Sequence, residues 1–231
     1  MASRSFHVRR SNTAKLETLT QYNGLRSTTW VRPAEGMSVL ELQTTHTPLA
    51  LQKIPEDRNY LTPPPHWHWY QDEFFHVREG RYIFTLEGKD MLVSASDPQP
   101  VRIPARARHT FKVDDTYDQG PCTVEISTGV SPRSPLEDPE AEGPNERFFR
   151  NIYQYLDDCW VQGQTPRLPQ LLLQLHSAEV SLALPGPAWL AERVSYAMGL
   201  VIGQWWGGYV LGMKASYPEY HLDDRESKKS R

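Results

Sequence analysis

Between Thr28 and Thr128, β-branched and aromatic residues alternate with polar ones in short runs closed off by Gly and Pro. The clearest runs are Thr28-Thr29-Trp30-Val31, Met37-Ser38-Val39-Leu40-Glu41-Leu42, Tyr82-Ile83-Phe84-Thr85-Leu86 and Cys122-Thr123-Val124-Glu125-Ile126. A period of two sends successive side chains to opposite faces of a strand, so each run has one face to bury. Many short strands at this spacing predict a sandwich or barrel, not parallel βαβ units. The whole chain of 231 residues accommodates one such domain and a substantial appendage.

The appendage has a different texture. Residues 131–146 are rich in proline and acid and read as a linker. After it Phe148, Phe149, Ile152, Tyr153, Leu156 and Trp160 recur at helical spacing, and a second helical patch runs from Leu168 to Leu175. Val194–Met213 then holds 20 residues without a charge, enough as a helix to cross a ~30 Å hydrocarbon core. Gly199, Gly203 and Gly207 recur there every four residues, a small-residue stripe that lets two helix backbones approach closely. The expectation is membrane association through a transmembrane helix at 194–213, with a helix packed on the barrel as the alternative. The resulting division is a flexible basic N-terminus (1–25), a β domain (26–130), the linker (131–146), a helical extension (147–213) and a polar tail (214–231). Arg4, Arg9, Arg10 and Lys15 superficially match an organelle transit peptide, but only Phe6 and Val8 offer an apolar face, so a frayed terminus is the expectation.

Composition removes several function classes. Twenty-five basic against 28 acidic side chains give a net charge of −3, so no electrostatic footprint for nucleic acid exists. Two cysteines, far apart, build neither a disulfide framework nor a Cys-rich zinc module. With no Asn-x-Ser/Thr sequon and no secretory signal peptide, the expected location is the cytosolic side, membrane-anchored through 194–213. Neither a Gly-x-Ser-x-Gly elbow nor a phosphate-cradling glycine loop occurs, which removes serine hydrolases and nucleotide binders.

The chemistry-bearing segment is PPPHWHWYQDEFFHVREG. His66 and His68, two apart on a strand, project both imidazoles from one face. Glu73 follows five residues after His68, and His109 comes later, just behind Pro104. Two imidazoles, a carboxylate and a further imidazole make a nitrogen/oxygen donor set for a first-row divalent metal. Alternation points Asp72 away from Glu73 and puts His76 on the opposite face. Trp67 and Trp69, out of phase with the two histidines, are expected to pack between the barrel and the C-terminal helices. Phe75 and Val77 are in phase with Glu73, Phe111 and Val113 with His109, and Phe84 on the neighbouring run can join them. These apolar side chains are the expected substrate-binding wall, suited to a flat or lipophilic molecule.

These residues resemble the motifs of the cupin superfamily. In the first motif His66, His68, Glu73 and Gly80 stand at the family's spacing, with Tyr60 where its first glycine would be. In the second, Pro104 and His109 match, while Pro98, Arg106 and Val113 replace two glycines and an asparagine. The resemblance covers roughly residues 25–130 and implies a mainly β fold: a single antiparallel jelly-roll barrel with the metal in its mouth, here carrying a C-terminal helical extension. More narrowly, the arrangement is similar to small single-domain cupin proteins of fungal natural-product pathways. By the same resemblance a homodimer paired through barrel edges is a candidate assembly.

Three neutral imidazoles and one carboxylate leave a divalent metal about +1 charge and one or two open positions. With Fe(II), the favoured ion, this suits an oxygenase acting on a hydrophobic, aromatic small molecule. With Mn, Ni or Zn it suits a lyase, isomerase or cyclase in which the metal is a Lewis acid and Glu73 carries protons as the catalytic residue. The non-enzymatic alternative is a metal-stabilised barrel that binds a hydrophobic metabolite.

Overall fold

The computed structural model describes residues 8–133 and 142–222. In chain order its strands are β1 (Thr18–Gln21), β2 (Arg26–Trp30), β3 (Met37–Thr45), β4 (His66–His68), β5 (Glu73–Glu79), β6 (Arg81–Leu86), β7 (Lys89–Ser94), β8 (Val101–Ile103), β9 (His109–Val113) and β10 (Cys122–Gly129). Helices α1 (Glu146–Val161) and α2 (Leu168–Ser177), strand β11 (Val180–Leu182), helix α3 (Ala188–Met198) and a π-helical segment (Gly199–Val210) follow. One sheet has the order β1-β2-β3-β10-β5-β8 and the other β11-β4-β9-β6-β7, with antiparallel pairing between neighbours. This is the expected mainly β jelly-roll barrel with a C-terminal helical extension.

Local chemistry sets the turns. Glu87 and Gly88 both have positive φ and join β6 to β7, the two-residue connection whose twist matches that of paired strands. Gly80 joins β5 to β6 at φ +74°, where a methyl group would overlap Cys122 Sγ and lie 2.8 Å from its Cα. Only glycine meets both conditions. Between the sheets Phe75, Val77, Phe84, Phe111, Val124 and Ile126 belong to one buried cluster.

The chain outside 26–130 is tied into this barrel. Thr18–Gln21, inside the stretch expected to be flexible, pairs with β2. Before it, the Thr13 and Ala14 amides donate to the Glu219 carbonyl, and the Ser11 amide donates to Asp158 on α1. Hydrogen bonds invisible to local sequence therefore order residues that carry little apolar surface. Residues 1–7 of the expected basic terminus, with Arg4, 134–141 of the expected linker and 223–231 of the expected tail lie outside the described residues. Helix α1 starts where the Asn145 side chain accepts the Phe148 amide at 3.0 Å. It lies against the inner side of β1–β3, with Trp160 stacked on Tyr22 at 4.3 Å between ring centroids.

The transmembrane expectation for 194–213 is overturned, and with it the membrane-anchored location. Among the described residues no helix is long and apolar enough to cross a membrane. The glycine stripe has its partner inside the chain. Gly199 faces His176, Gly203 faces the backbone of Leu172 and Leu173, and Gly207 faces the Pro169 carbonyl, all on α2. Glu192, two residues before the uncharged stretch, forms an ion pair with Arg106 of the barrel. Small residues here serve close helix contact within the fold.

Candidate metal centre

His66 and His68 leave β4 on the same side, and His109 of β9 is the register partner of His66. Glu73 opens β5 in the facing sheet, so the cluster bridges the two layers of the barrel. The ring centroids of His66 and His109 are 4.2 Å apart, and those of His68 lie 5.4 Å from each. Glu73 Oε2 is 3.0 Å from His109 Nε2 and 3.9 Å from His68 Nε2. One ligand atom from each of the four residues falls within 4.8 Å of the others.

Two of the imidazoles are oriented from behind. His66 Nδ1–H donates to the Pro64 carbonyl at 2.9 Å and His109 Nδ1–H to the Ala107 carbonyl at 3.0 Å. Such bonds fix the ring and turn Nε2 toward a metal, as the outer contacts of ligating histidines do. Burial pushes His66 down to about 3 and His68 well below its ordinary value, so both are neutral with lone pairs available at physiological pH. Burial also disfavours a charged His109, but the hydrogen bond and charge of Glu73 outweigh it and raise its pKa. The donor chemistry fits a divalent cation: three buried or half-buried imidazoles and a carboxylate, converging with no competing cationic side chain among them.

The residues expected beside the cluster are in place as side chains. Phe75 lies 4.7 Å from Phe111 and 5.1 Å from Phe84 between centroids, and Val77 and Val113 are buried with them. This aromatic layer starts two residues beyond Glu73 and His109. Asp72 points outward to Arg102, and His76, half-buried, faces Arg78. Trp69 meets Tyr196 of α3 edge-on and donates to Ser181 of β11. Arg106, one of the residues that depart from the second cupin-like motif, has a left-handed backbone with φ +67°. Its amide donates to the His68 carbonyl at 2.7 Å and its guanidinium is held by Glu192 and the Trp69 ring. The strain of a left-handed arginine is thus offset by contacts from α3.

No family model matches the chain. The probable oxidoreductase virH of Hypocrea virens is 30% identical over 175 residues, 74% of this chain and 74% of its own length. The chain belongs to this family of fungal oxidoreductases. Within the family the epoxidase atD of Aspergillus terreus is 31% identical over 94% of this chain and 66% of that protein. The probable oxidoreductase patJ of Penicillium expansum is 27% identical over 89% of this chain and 62% of that protein. The chain spans roughly two thirds of the length of these curated relatives. Among solved structures, CapF of Staphylococcus aureus aligns with 51% of this chain and 32% of its own at 15% identity and a TM-score of 0.36, a likeness too weak to carry weight.

Sequence reasoning missed two parts of this oxidoreductase's interior. Strand β11, from the extension, pairs with β4 so that Val180 faces His68 and Leu182 faces His66. The alternation of Val180, Leu182 and Leu184 was its only signal. The second part is polar. Glu41 and Gln43 on β3 point inward, fully buried, and Tyr153 of α1 reaches them: its hydroxyl donates to Glu41 Oε1 at 2.8 Å. Burial raises the Glu41 carboxyl from its ordinary 4.5 to about 7, against the lowering effect of hydrogen bonds from Tyr153 and Gln43. A folded-state pKa above the unfolded one means that the native state binds the proton more tightly. That stability is present below about 4.5 and lost as pH rises through about 7. The substitution Glu41→Gln, which keeps the shape without the charge, is expected to stabilise the protein at pH 8 by up to ~3 kcal/mol. In urea unfolding the gain shrinks toward zero by pH 5, and a pH-independent difference would contradict the buried-charge account.

Proposed function

We propose that this chain is a cupin metalloenzyme whose His66, His68, Glu73 and His109 hold one divalent metal, Fe(II) before Mn, Ni or Zn, and that it oxidises a lipophilic, aromatic small molecule of fungal secondary metabolism. The observation that carries the reading is the convergence of four donor atoms within 4.8 Å, two of their rings already oriented through Nδ1. The names of the relatives, oxidoreductases and an epoxidase, favour oxidative chemistry over the lyase and isomerase alternatives.

A metal bound by these residues supplies redox chemistry at a dry interior position. His66 and His68, kept neutral by burial, donate lone pairs without first losing a proton. Glu73 Oε2 lies 3.0 Å from His109 Nε2, the nitrogen left free for a ligand by the Nδ1–H bond to Ala107, and this carboxylate oxygen is placed to receive or return a proton of the substrate. Phe75, Phe84 and Phe111 bind the ring of the substrate and keep water out.

Protein purified without a metal-affinity tag is expected to carry about one transition-metal ion per chain in elemental mass spectrometry. Iron at that stoichiometry, together with substrate-dependent oxygen uptake, supports the oxygenase reading. A chain that holds no metal even after reconstitution with Fe(II), Mn(II), Ni(II) or Zn(II) sinks it.

A further inference from the structure

The barrel interior is not apolar throughout. On the inner face of the larger sheet, Glu41 and Gln43 of β3 lie beside Val124 and Ile126 of β10, where a core strand would carry apolar residues. Thr28 of β2 is the register partner of Gln43, and Thr128 of β10 is the register partner of both Val39 and Glu73. Thr28, Glu41 and Thr128 are 0% exposed and Gln43 is 2% exposed.

The hydrogen-bond inventory of this group is one-sided. Gln43 spends its amide hydrogens on Glu41 Oε1 and the Tyr153 hydroxyl oxygen, both at 2.8 Å, and Tyr153 donates to the same Glu41 oxygen. Left without a partner among the described residues are Glu41 Oε2, Gln43 Oε1 and the hydroxyls of Thr28 and Thr128. The first two can only accept from a neighbour while Glu41 is ionised, and the hydroxyls can do either. Buried polar atoms are normally paired, because leaving them bare costs the water they gave up. Glu41 Oε2 and Gln43 Oε1, from neighbouring same-face positions of β3 in the sheet that carries Glu73, describe half of a binding contact whose other half is a donor.

We propose that Glu41 and Gln43 form the polar end of the ligand site and receive a hydroxyl group of a substrate whose ring lies against Phe75, Phe84 and Phe111. This rests on the proposed reading of the barrel interior as the substrate site. The ligand class is then a hydroxylated aromatic compound, held by its ring on one side and by its O–H on the other. Tyr153 is a positioning residue: it occupies Glu41 Oε1 and leaves Oε2 for the ligand.

The test titrates the full chain, as purified, with 2-naphthol and with naphthalene by calorimetry. In the unaltered protein 2-naphthol is expected to bind at least tenfold more tightly. In Glu41→Gln and in Gln43→Leu the gap falls below threefold, while naphthalene affinity and metal content stay at the unaltered level. Equal binding of the two compounds overturns the proposal, as does binding of neither, the bare oxygens then being partnered by water. A preference that persists in all the variants, as direct capture by the metal would produce, also overturns it. If the protein lacks metal yet shows the preference and its loss, the metalloenzyme reading fails and the hydroxyl site stands.

Discussion

Replacing His68 or His109 with alanine is expected to lower metal affinity by well over tenfold, whereas His76→Ala leaves metal content unchanged. Losing merely an outer-shell partner of a ligand costs about 10- to 100-fold in metal affinity, and losing a ligand costs more. The two variants differ in what they remove. His68 contributes a neutral nitrogen kept free of protons by burial, and its Nδ1 has no partner among the described residues. His109 contributes a nitrogen 3.0 Å from Glu73 Oε2, so its loss also releases the carboxylate. His76 is the internal control: it lies on the same strand as Glu73, but one residue out of phase, with Nε2 3.4 Å from Arg78. Elemental analysis after dialysis against a weak chelator reads the result. Equal metal retention in all three variants would falsify the site.

The second large effect concerns the extension. Gly203→Ala is expected to destabilise the protein by roughly 1–3 kcal/mol, the range for forcing extra atoms into a packed contact. The added methyl would meet the Leu172 carbonyl carbon and the Leu173 nitrogen at 2.7 Å, and neither backbone atom can swing aside. Five residues on, Gly208→Ala introduces a methyl whose nearest neighbour, Leu173 Cδ1, is 3.8 Å away. That change is expected to be neutral or stabilising by up to ~1 kcal/mol, because alanine restricts the unfolded chain and favours helix. Thermal unfolding by circular dichroism separates the two. Equal melting temperatures would show that the glycine stripe is not what docks this segment on α2.

Much of the barrel was legible because its signals are local. Alternation in Tyr82–Leu86 and Cys122–Ile126 reflects the geometry of a strand, and Glu87-Gly88 reflects the φ that a tight hairpin needs. The pairing of His66 and His68 was legible for the same reason, since they share a face on any strand, while Glu73 and His109 were read from the spacing of the cupin-like motifs. The sense of an alternation was harder. In Met37–Thr45 both phases are plausible, and the chain turns Glu41 and Gln43 inward while Leu42 is 37% exposed. Nothing within nine residues announces that Tyr153, more than a hundred positions away, supplies the hydroxyl that makes an inward carboxylate tolerable.

The apolar segment at 194–213 shows the same division. Its composition and glycine spacing state that something packs closely against it, and they leave the partner open between lipid, another chain and the rest of this one. The fold answers with α2, because backbone contact at Gly199, Gly203 and Gly207 is available there. The sequence by itself determined strand periodicity, turn positions and the shared face of His66 and His68, all properties of a few covalently linked neighbours. Tertiary structure decided which face of β3 is the interior, that β11 borders the histidine strand, and where the glycine stripe docks. Those outcomes depend on surfaces that meet only when distant segments fold together, and a one-dimensional pattern does not encode which pair of surfaces buries best.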